Sequence, residues 1–339
     1  MKYRQLGGSG AAVSTYSLGT MTFGTESSEE VSHAQLDMYA ERGGTVIETA
    51  DVYSAGASEE IVGRWLAGRG SDTTDAMFLA SKGRFPVGVP AREAGLSRRH
   101  LRRALDASLA RLGVDHLDLY QVHSWDPVTP LEETLGFLEY AVDSGKVSYV
   151  GLSNFLGWQI AQAATLARGR FPLVSMQPQY NLLAREVEWE IVPASQANGL
   201  GLLPWSPLGG GWLAGKYSKD AAPTGATRLG EDPERGVEAY AKRARNERTW
   251  RVLDVVSEVA ARHGRTAAQV SLAWLDSRPA VSSIILGCRT TEQLESNLDA
   301  VDLELPHEDL ALLDAASDPE PADWPYGAAG IEQRSRPLD

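Results

Sequence analysis

The sequence predicts an α/β protein of the (β/α)8 TIM-barrel class. Short apolar runs alternate with longer amphipathic segments along most of the chain. Repeated β–α alternation argues for a parallel sheet. Eight such runs argue for closure into a barrel, with an open doubly wound sheet as the competing architecture. A chain of 339 residues is within the size such barrels reach as one unit, so one barrel domain over 1–339 is expected.

Residues 2–15 read as a small hairpin ahead of the barrel, expected to plug its floor. The strand candidates are residues 16–20, 45–49, 76–81, 116–122, 147–152, 173–176, 201–205 and 282–286. The helix candidates are 29–42, 58–67, 97–112, 131–144, 156–167 and 187–198. Ser58, ahead of Glu59 and Glu60, and Ser97, ahead of the third helix, are candidate N-caps. Gly113 and Gly145 are candidate C-terminal stops. Residues 214–246 are polar and rich in Gly, Pro, Arg and Glu, and read as a long functional loop. From Asp318 a proline-rich tail carrying Trp324 reads as an extended arm.

Composition narrows the function. The chain is 43% hydrophobic and 23% charged, the mix of a globular protein that buries a core. A net charge of −13, with no sustained Lys/Arg run, argues against a nucleic-acid partner. No stretch approaches about 18 uninterrupted apolar residues, so no membrane span is expected. The N-terminus carries no signal-peptide pattern. Cys288 is the only cysteine, which allows no intrachain disulfide and fits a reducing compartment. The expected location is cytoplasmic.

In such a barrel the site lies at the C-terminal ends of the strands. Strand two ends at Glu48, with Asp51 and Tyr53 just beyond; strand three at Ser81-Lys82; strand four at His123. A carboxylate, a phenol, a lysine and a histidine from successive strand ends should therefore converge. Strands five, six and seven end at Ser153-Asn154, Gln177 and Trp205-Ser206.

With these residues in place, the chain resembles the aldo-keto reductase superfamily along essentially its whole length. The resemblance runs through Leu18-Gly19-Thr20-Met21-Thr22-Phe23-Gly24, Glu48-Thr49-Ala50-Asp51-Val52-Tyr53, Ser58-Glu59-Glu60 and Asp118-Leu119-Tyr120-Gln121-Val122-His123. It continues through Gly151-Leu152-Ser153-Asn154-Phe155, Gln177-Pro178-Gln179-Tyr180-Asn181, Trp205-Ser206-Pro207-Leu208-Gly209-Gly210-Gly211, and Gly287-Cys288-Arg289 with Gln293 and Asn297. It is most similar to the branch holding bacterial reductases and potassium-channel β-subunits. The family's catalytic tetrad is Asp, Tyr, Lys, His. The matching positions here are Glu48, Tyr53, Lys82 and His123, so a glutamate stands where the family has aspartate. Its extra methylene carries the carboxylate about 1.3–1.5 Å further.

The resemblance implies reduction of an aldehyde or ketone. Tyr53 would give the proton, the Lys82 ammonium would lower the phenol's pKa, and His123 would orient the substrate oxygen. It implies an NADPH cofactor. Ser153, Asn154 and Gln177 would face the nicotinamide carboxamide and Trp205 would stack on the ring. Gly19, Thr20 and Met21 would also bind the cofactor, Ser206, Pro207, Leu208 and Gly210 would approach the diphosphate, and Lys216 would close over it. Arg289, Gln293 and Asn297, read at i, i+4 and i+8 on one helical face with Gly287 at its approach, would take the adenosine end, Arg289 reading the 2′-phosphate. Phe23, Trp125 and Trp158 would shape the substrate pocket.

Other chemistries find little support. Gly8-Ser9-Gly10 lacks the third glycine of a Rossmann fingerprint, since Val13 stands there. No metal-ligand spacing, G-x-S-x-G elbow or Walker motif occurs. Two readings stay open beside carbonyl reduction: a nicotinamide-binding regulatory or subunit protein with weak catalysis, and reduction of an activated C=C bond. The sequence specifies neither the physiological substrate nor the oligomeric state.

Overall fold

The computed structural model describes residues 1–88, 94–219, 221, 223–225 and 227–320. A hairpin comes first, β1 (Tyr3–Gln5) and β2 (Ala12–Ser14), paired antiparallel. The barrel strands follow: β3 (Tyr16–Gly19), β4 (Val46–Glu48), β5 (Phe78–Gly83), β6 (Leu117–Val122), β7 (Val147–Ser153), β8 (Leu173–Gln177), β9 (Gly201–Leu202) and β10 (Ile284–Gly287). They form one parallel sheet in the order β10–β3–β4–β5–β6–β7–β8–β9. Leu202 N donating to Ala280 O at 2.7 Å and Ile285 N donating to Pro204 O at 3.0 Å join its two ends, so the sheet closes. The (β/α)8 expectation holds.

Helices α1 (Glu29–Glu41), α2 (Ala57–Ala67), the short α3 (Ser71–Thr74), α4 (Arg98–Leu112), α5 (Leu131–Asp143), α6 (Gly157–Ala167) and α7 (Val187–Ala197) alternate with the strands. In α4, Ser97 Oγ accepts from His100 N at 3.3 Å, and Gly113 ends the helix in the left-handed region. Its Leu101, Leu105, Leu109 and Leu112 recur every three or four residues and are buried against the barrel.

Three readings are corrected. Ser58 is not the cap of α2. Gly56 at φ 99° holds that position, and the Ser58 hydroxyl is drawn inward to donate to Thr20 O at 2.8 Å. Strand 201–205 shrinks to Gly201–Leu202 because Pro204 has no N–H for the ladder. Residues 214–246 are not purely loop: α8 (Arg228–Glu231), a 3-10 turn at Gly236–Glu238 and α9 (Tyr240–Ala244) punctuate them. Residues 247–276, unassigned from the alternation, form α10 (Glu247–His263) and α11 (Ala267–Asp276), the latter with a Thr266/Gln269 capping box. The chain continues through α12 (Thr291–Leu298) and α13 (His307–Ser317). Most of the expected C-terminal arm, Trp324 included, lies outside the described residues.

The barrel interior has an apolar floor. Val46, Ala80, Leu119, Val174, Leu203 and Ile285 pack with Leu6 and Val13 of the hairpin segment in one buried cluster. The hairpin thus covers the end opposite the strand C-termini. It is fixed at Gly7, whose φ is 55° and whose missing Cβ would lie 2.5 Å from both Gly199 O and Val174 O. Gly7→Ala should therefore lower unfolding stability by about 1–3 kcal/mol, read from urea denaturation midpoints. An unchanged midpoint would mean the hairpin does not seat on the barrel.

Candidate active site

Side chains alternate across a strand, so Val46 and Glu48 share a face of β4, and Ala80 and Lys82 share a face of β5. With Val46 and Ala80 in the apolar floor, Glu48 and Lys82 stand in the layer above it, toward the strand C-termini. The register pairs Glu48 with Ala80 and Lys82 with Gln121. The fully buried Lys82 ammonium has three acceptors for its three protons: the Glu48 carboxylate, Thr49 O at 2.8 Å and Tyr53 Oη at 3.0 Å.

Tyr53 reaches this ammonium from a strained turn. Ser54 and Ala55 follow it at φ 50° and 53°, left-handed values rare outside glycine. Ser54 Oγ donates to Phe23 O at 2.6 Å, which helps hold that backbone. The His123 ring lies edge-on to Tyr53, with centroids 5.9 Å apart, and edge-on to Phe85 at 4.9 Å. The structure thus brings Glu48, Tyr53, Lys82 and His123 together.

The electrostatics correct one expectation. The Lys82 charge does pull the Tyr53 pKa down, but burial, aided by the Glu48 charge, pushes it up by more, so the phenol keeps its proton more firmly than a free tyrosine. Burial likewise opposes the Lys82 charge, yet the Glu48 carboxylate and Tyr53 outweigh it and hold its pKa above the usual lysine value. Burial, followed by the charges of Lys82 and Arg84, lowers the His123 pKa to about 2, so its imidazole is neutral. Its Nδ1 is buried and has no partner among the described residues.

Beside this group stand the residues expected to meet a nicotinamide. Their amides are more engaged than expected. Asn154, at φ 55°, donates through Nδ2 to His123 O and Ser153 Oγ, both at 3.0 Å, and accepts from Trp205 Nε1 at 3.0 Å. Ser153 Oγ donates to Gln177 O at 3.0 Å, and Gln177 Nε2 donates to Glu48 Oε1 at 3.1 Å. Asn154 therefore ties three strand ends together, and the Glu48 carboxylate bridges Lys82 and Gln177. Gly19 leaves room beside it, since a Cβ there would come within 3.5 Å of Glu48 Oε2. Thr20 is buried on Ser58, whereas Met21 is exposed on the rim.

The next segment bends for close approach. Ser206 and Gly209, Gly210 and Gly211 all have positive φ, a backbone suited to cradling an anion, with Pro207 and Leu208 inside the bend. Lys216 follows in an exposed position. Arg289 is corrected in place: it precedes α12 rather than lying on it, so it shares no helical face with Gln293 and Asn297. Those two instead hold the approach from Gly287, with Gln293 Oε1 accepting from Arg289 N at 3.1 Å and Asn297 Nδ2 donating to Cys288 Sγ at 3.4 Å.

Sequence reading missed the company Arg289 keeps. Its guanidinium pairs with Glu26 and, bidentately, with Glu231 at 2.9 and 2.7 Å, while Arg235 also pairs with Glu26 at 2.6 Å. Arg228 sits largely buried in the same cluster, without a hydrogen-bond or ion-pair partner among the described residues. Burial and the neighbouring Arg235 charge hold its pKa below the usual value. A Cβ on Gly210 would come within 4.0 Å of its side chain. Three guanidiniums against two carboxylates leave an anion-seeking group beside the glycine bend. These residues lie far apart in sequence, so no local pattern announced them.

The pocket reading is also amended. Phe23 is fully buried and packs in the main core cluster. Trp125 does lie near the mouth, edge-on to Phe155 at 5.3 Å and to Trp158 at 5.4 Å, and Trp158 is 56% exposed. Among the described residues no group of three or more His, Cys, Asp or Glu is arranged to hold a metal. Among the described residues no helix is long and apolar enough to cross a membrane.

Comparison with known proteins agrees with the barrel fold. A family model described as the aldo/keto reductase family matches residues 16–318. The chain is 37% identical to the uncharacterized oxidoreductase YrpG of Bacillus subtilis (strain 168), over 92% of this chain and 95% of that protein. It is 36% identical to a probable voltage-gated potassium channel subunit beta of Arabidopsis thaliana, over 89% and 92%. It is 32% identical to a versiconal hemiacetal acetate reductase of Aspergillus parasiticus, over 93% and 96%.

One buried acid has no part in the tetrad. Among the described residues no side chain pairs with the buried Asp51 carboxyl, and burial, with the nearby Glu59 charge, raises its pKa to about 7. A carboxyl raised in the fold destabilises it progressively as pH rises from the unfolded value, about 3.9, through the folded one. Asp51→Asn should therefore stabilise the protein at pH 8, by about 1–3 kcal/mol, and change little at pH 4. Equal effects at both pH values, by denaturant titration, would contradict a protonatable Asp51.

Proposed function

The chain belongs to the aldo/keto reductase family, and on that premise we propose that this oxidoreductase is an NADPH-dependent reductase of aldehydes or ketones. The observation that carries the reading is the Tyr53 phenol hydrogen-bonded to a buried ammonium, with His123 against its ring. Bound NADPH would supply the hydride to the carbonyl carbon. The carbonyl oxygen then needs a proton. Tyr53 holds one, because burial keeps the phenol protonated in this site. As the proton leaves, negative charge grows on the phenol oxygen, 3.0 Å from Lys82 Nζ, where the ammonium stabilises it. Glu48 holds that ammonium in place and keeps it charged. His123, a neutral imidazole, offers one ring N–H to the same substrate oxygen.

The residues fit such a nucleotide. The glycine bend at 209–211 and the unpartnered Arg228 suit the diphosphate, and Arg289 with Arg235 gives a cationic end suited to a 2′-phosphate. Glu26 and Glu231 would have to yield part of their hold on Arg289 for that contact. Trp205, anchored through Nε1 to Asn154, offers a ring face to a nicotinamide, and Gln177 an amide to its carboxamide. We propose carbonyl rather than C=C reduction because a histidine stands at position 123, and catalysis rather than a purely regulatory role because the Lys82 ammonium is fully coordinated despite the glutamate.

The test is turnover of 4-nitrobenzaldehyde with NADPH. Tyr53→Phe should lower kcat by about 10²–10⁴-fold while leaving NADPH affinity nearly unchanged. NADPH binding without turnover in the wild-type protein would instead favour a regulatory role, and unchanged kcat in the variant would exclude Tyr53 as proton donor.

A further inference from the structure

One cation beside the tetrad, beyond its share in keeping His123 neutral, is not used by the chemistry above. Arg84 follows β5 directly, two residues after Lys82, and is half-buried. Its Nε donates to Trp125 O at 3.1 Å, which fixes the guanidinium between the loops that follow β5 and β6. Its Cζ lies 4.7 Å from the centroid of the Phe85 ring. The same ring packs edge-on against His123, so one aromatic side chain separates the guanidinium from the tetrad.

The charges around it do not explain it. Among the described residues Arg84 has no ion-pair partner, and its two terminal nitrogens have no acceptor. The nearby Asp126 carboxylate is already taken up by Leu96 N at 2.9 Å, Val128 N at 3.0 Å and Thr129 Oγ1 at 2.7 Å. Lys82 is turned to Glu48 and Tyr53, and His123 is neutral. A guanidinium with its Nε fixed and its outer N–H pair free presents a fork, and a fork matches a carboxylate. Around it stand flat apolar surfaces: Phe85, and Trp125 edge-on to Trp158.

We propose that Arg84 selects the substrate: an aromatic aldehyde or ketone that carries a carboxylate, its ring lying along Phe85 and Trp125 and its carboxylate taken by the Arg84 fork. This rests on the carbonyl-reductase reading and names the class of compound that site prefers. The chain as a whole is acidic, with a net charge of −13, so an anionic substrate gains nothing from the overall field and needs a local cation.

The experiment compares 4-carboxybenzaldehyde with its neutral methyl ester, methyl 4-formylbenzoate, in the wild-type protein and in Arg84→Met and Arg84→Lys. The wild type should prefer the acid over the ester by about tenfold or more in kcat/KM, the worth of one charge-assisted hydrogen-bonded pair. In Arg84→Met the acid-to-ester ratio should fall to near one, whatever happens to the absolute rates. Arg84→Lys, which keeps the charge but not the fork, should lie between. An acid-to-ester ratio that is the same in the wild type and in Arg84→Met overturns the proposal, while turnover of both aldehydes leaves the reductase reading standing. If neither aldehyde is reduced, the reductase reading fails, and the ratio of their affinities by titration calorimetry still decides the role of Arg84. An acid preference in affinity that Arg84→Met abolishes supports it, and no preference overturns it.

Discussion

A lysine ammonium without water is the constraint on which the site depends. Burying a charge is costly unless it is paired and its protons are all accepted. Lys82 meets both conditions, with Glu48 for the charge and Thr49 O and Tyr53 Oη for the remaining protons. Each partner is held by something else. Thr49 hangs from β5 through its N–H to Ala80 O at 2.8 Å, Glu48 also accepts from Gln177, and Tyr53 rides a turn whose left-handed residues are pinned to Phe23. Several strand ends are therefore tied to one nitrogen. The glutamate in place of the family aspartate fits this scheme, because its carboxylate reaches Lys82 and Gln177 together.

The barrel supplies the environment that makes this possible. Inward-facing residues change character with height: an apolar floor sealed by Leu6 and Val13, then Glu48 and Lys82 above it. Around the same rim the segment 214–246 is latched at two places. Glu238 is buried and pairs with Arg243 at 2.7 Å while its carbonyl accepts from Trp212 Nε1 at 3.0 Å, and Glu231 grips Arg289. The latches draw distant segments around the glycine bend, where the cationic surplus lies. The half-exposed Glu231–Arg289 pair adds little to stability. What the latches do is fix which groups face the cleft.

The order of strands and helices was legible because burial on both faces makes parallel strands short and apolar, and because helices declare themselves by period and caps such as Ser97 and Gly113. The convergence of Glu48, Tyr53, Lys82 and His123 was legible for a related reason: polar residues at strand ends interrupt the apolar runs. Legibility failed where a side chain's partner is remote. Nothing near Ser58 in sequence says that its hydroxyl turns inward to Thr20, nor that Phe23 packs into the core. The saturation of Asn154 and the ring of Glu26, Glu231, Arg228 and Arg235 around Arg289 are tertiary facts. The sign of the Tyr53 shift failed for the same reason, since burial outweighs the neighbouring ammonium and only the fold reveals burial.

In the proposed mechanism the Lys82 ammonium stabilises the charge Tyr53 gains as it gives up its proton. Lys82→Met combined with Glu48→Gln tests it most directly, because the pair removes both charges and leaves no Glu48 carboxylate without its ammonium. This variant should still fold and bind NADPH, yet reduce a bound aldehyde in a single turnover at least about a hundredfold more slowly than the wild type. A wild-type single-turnover rate in the folded variant would contradict it.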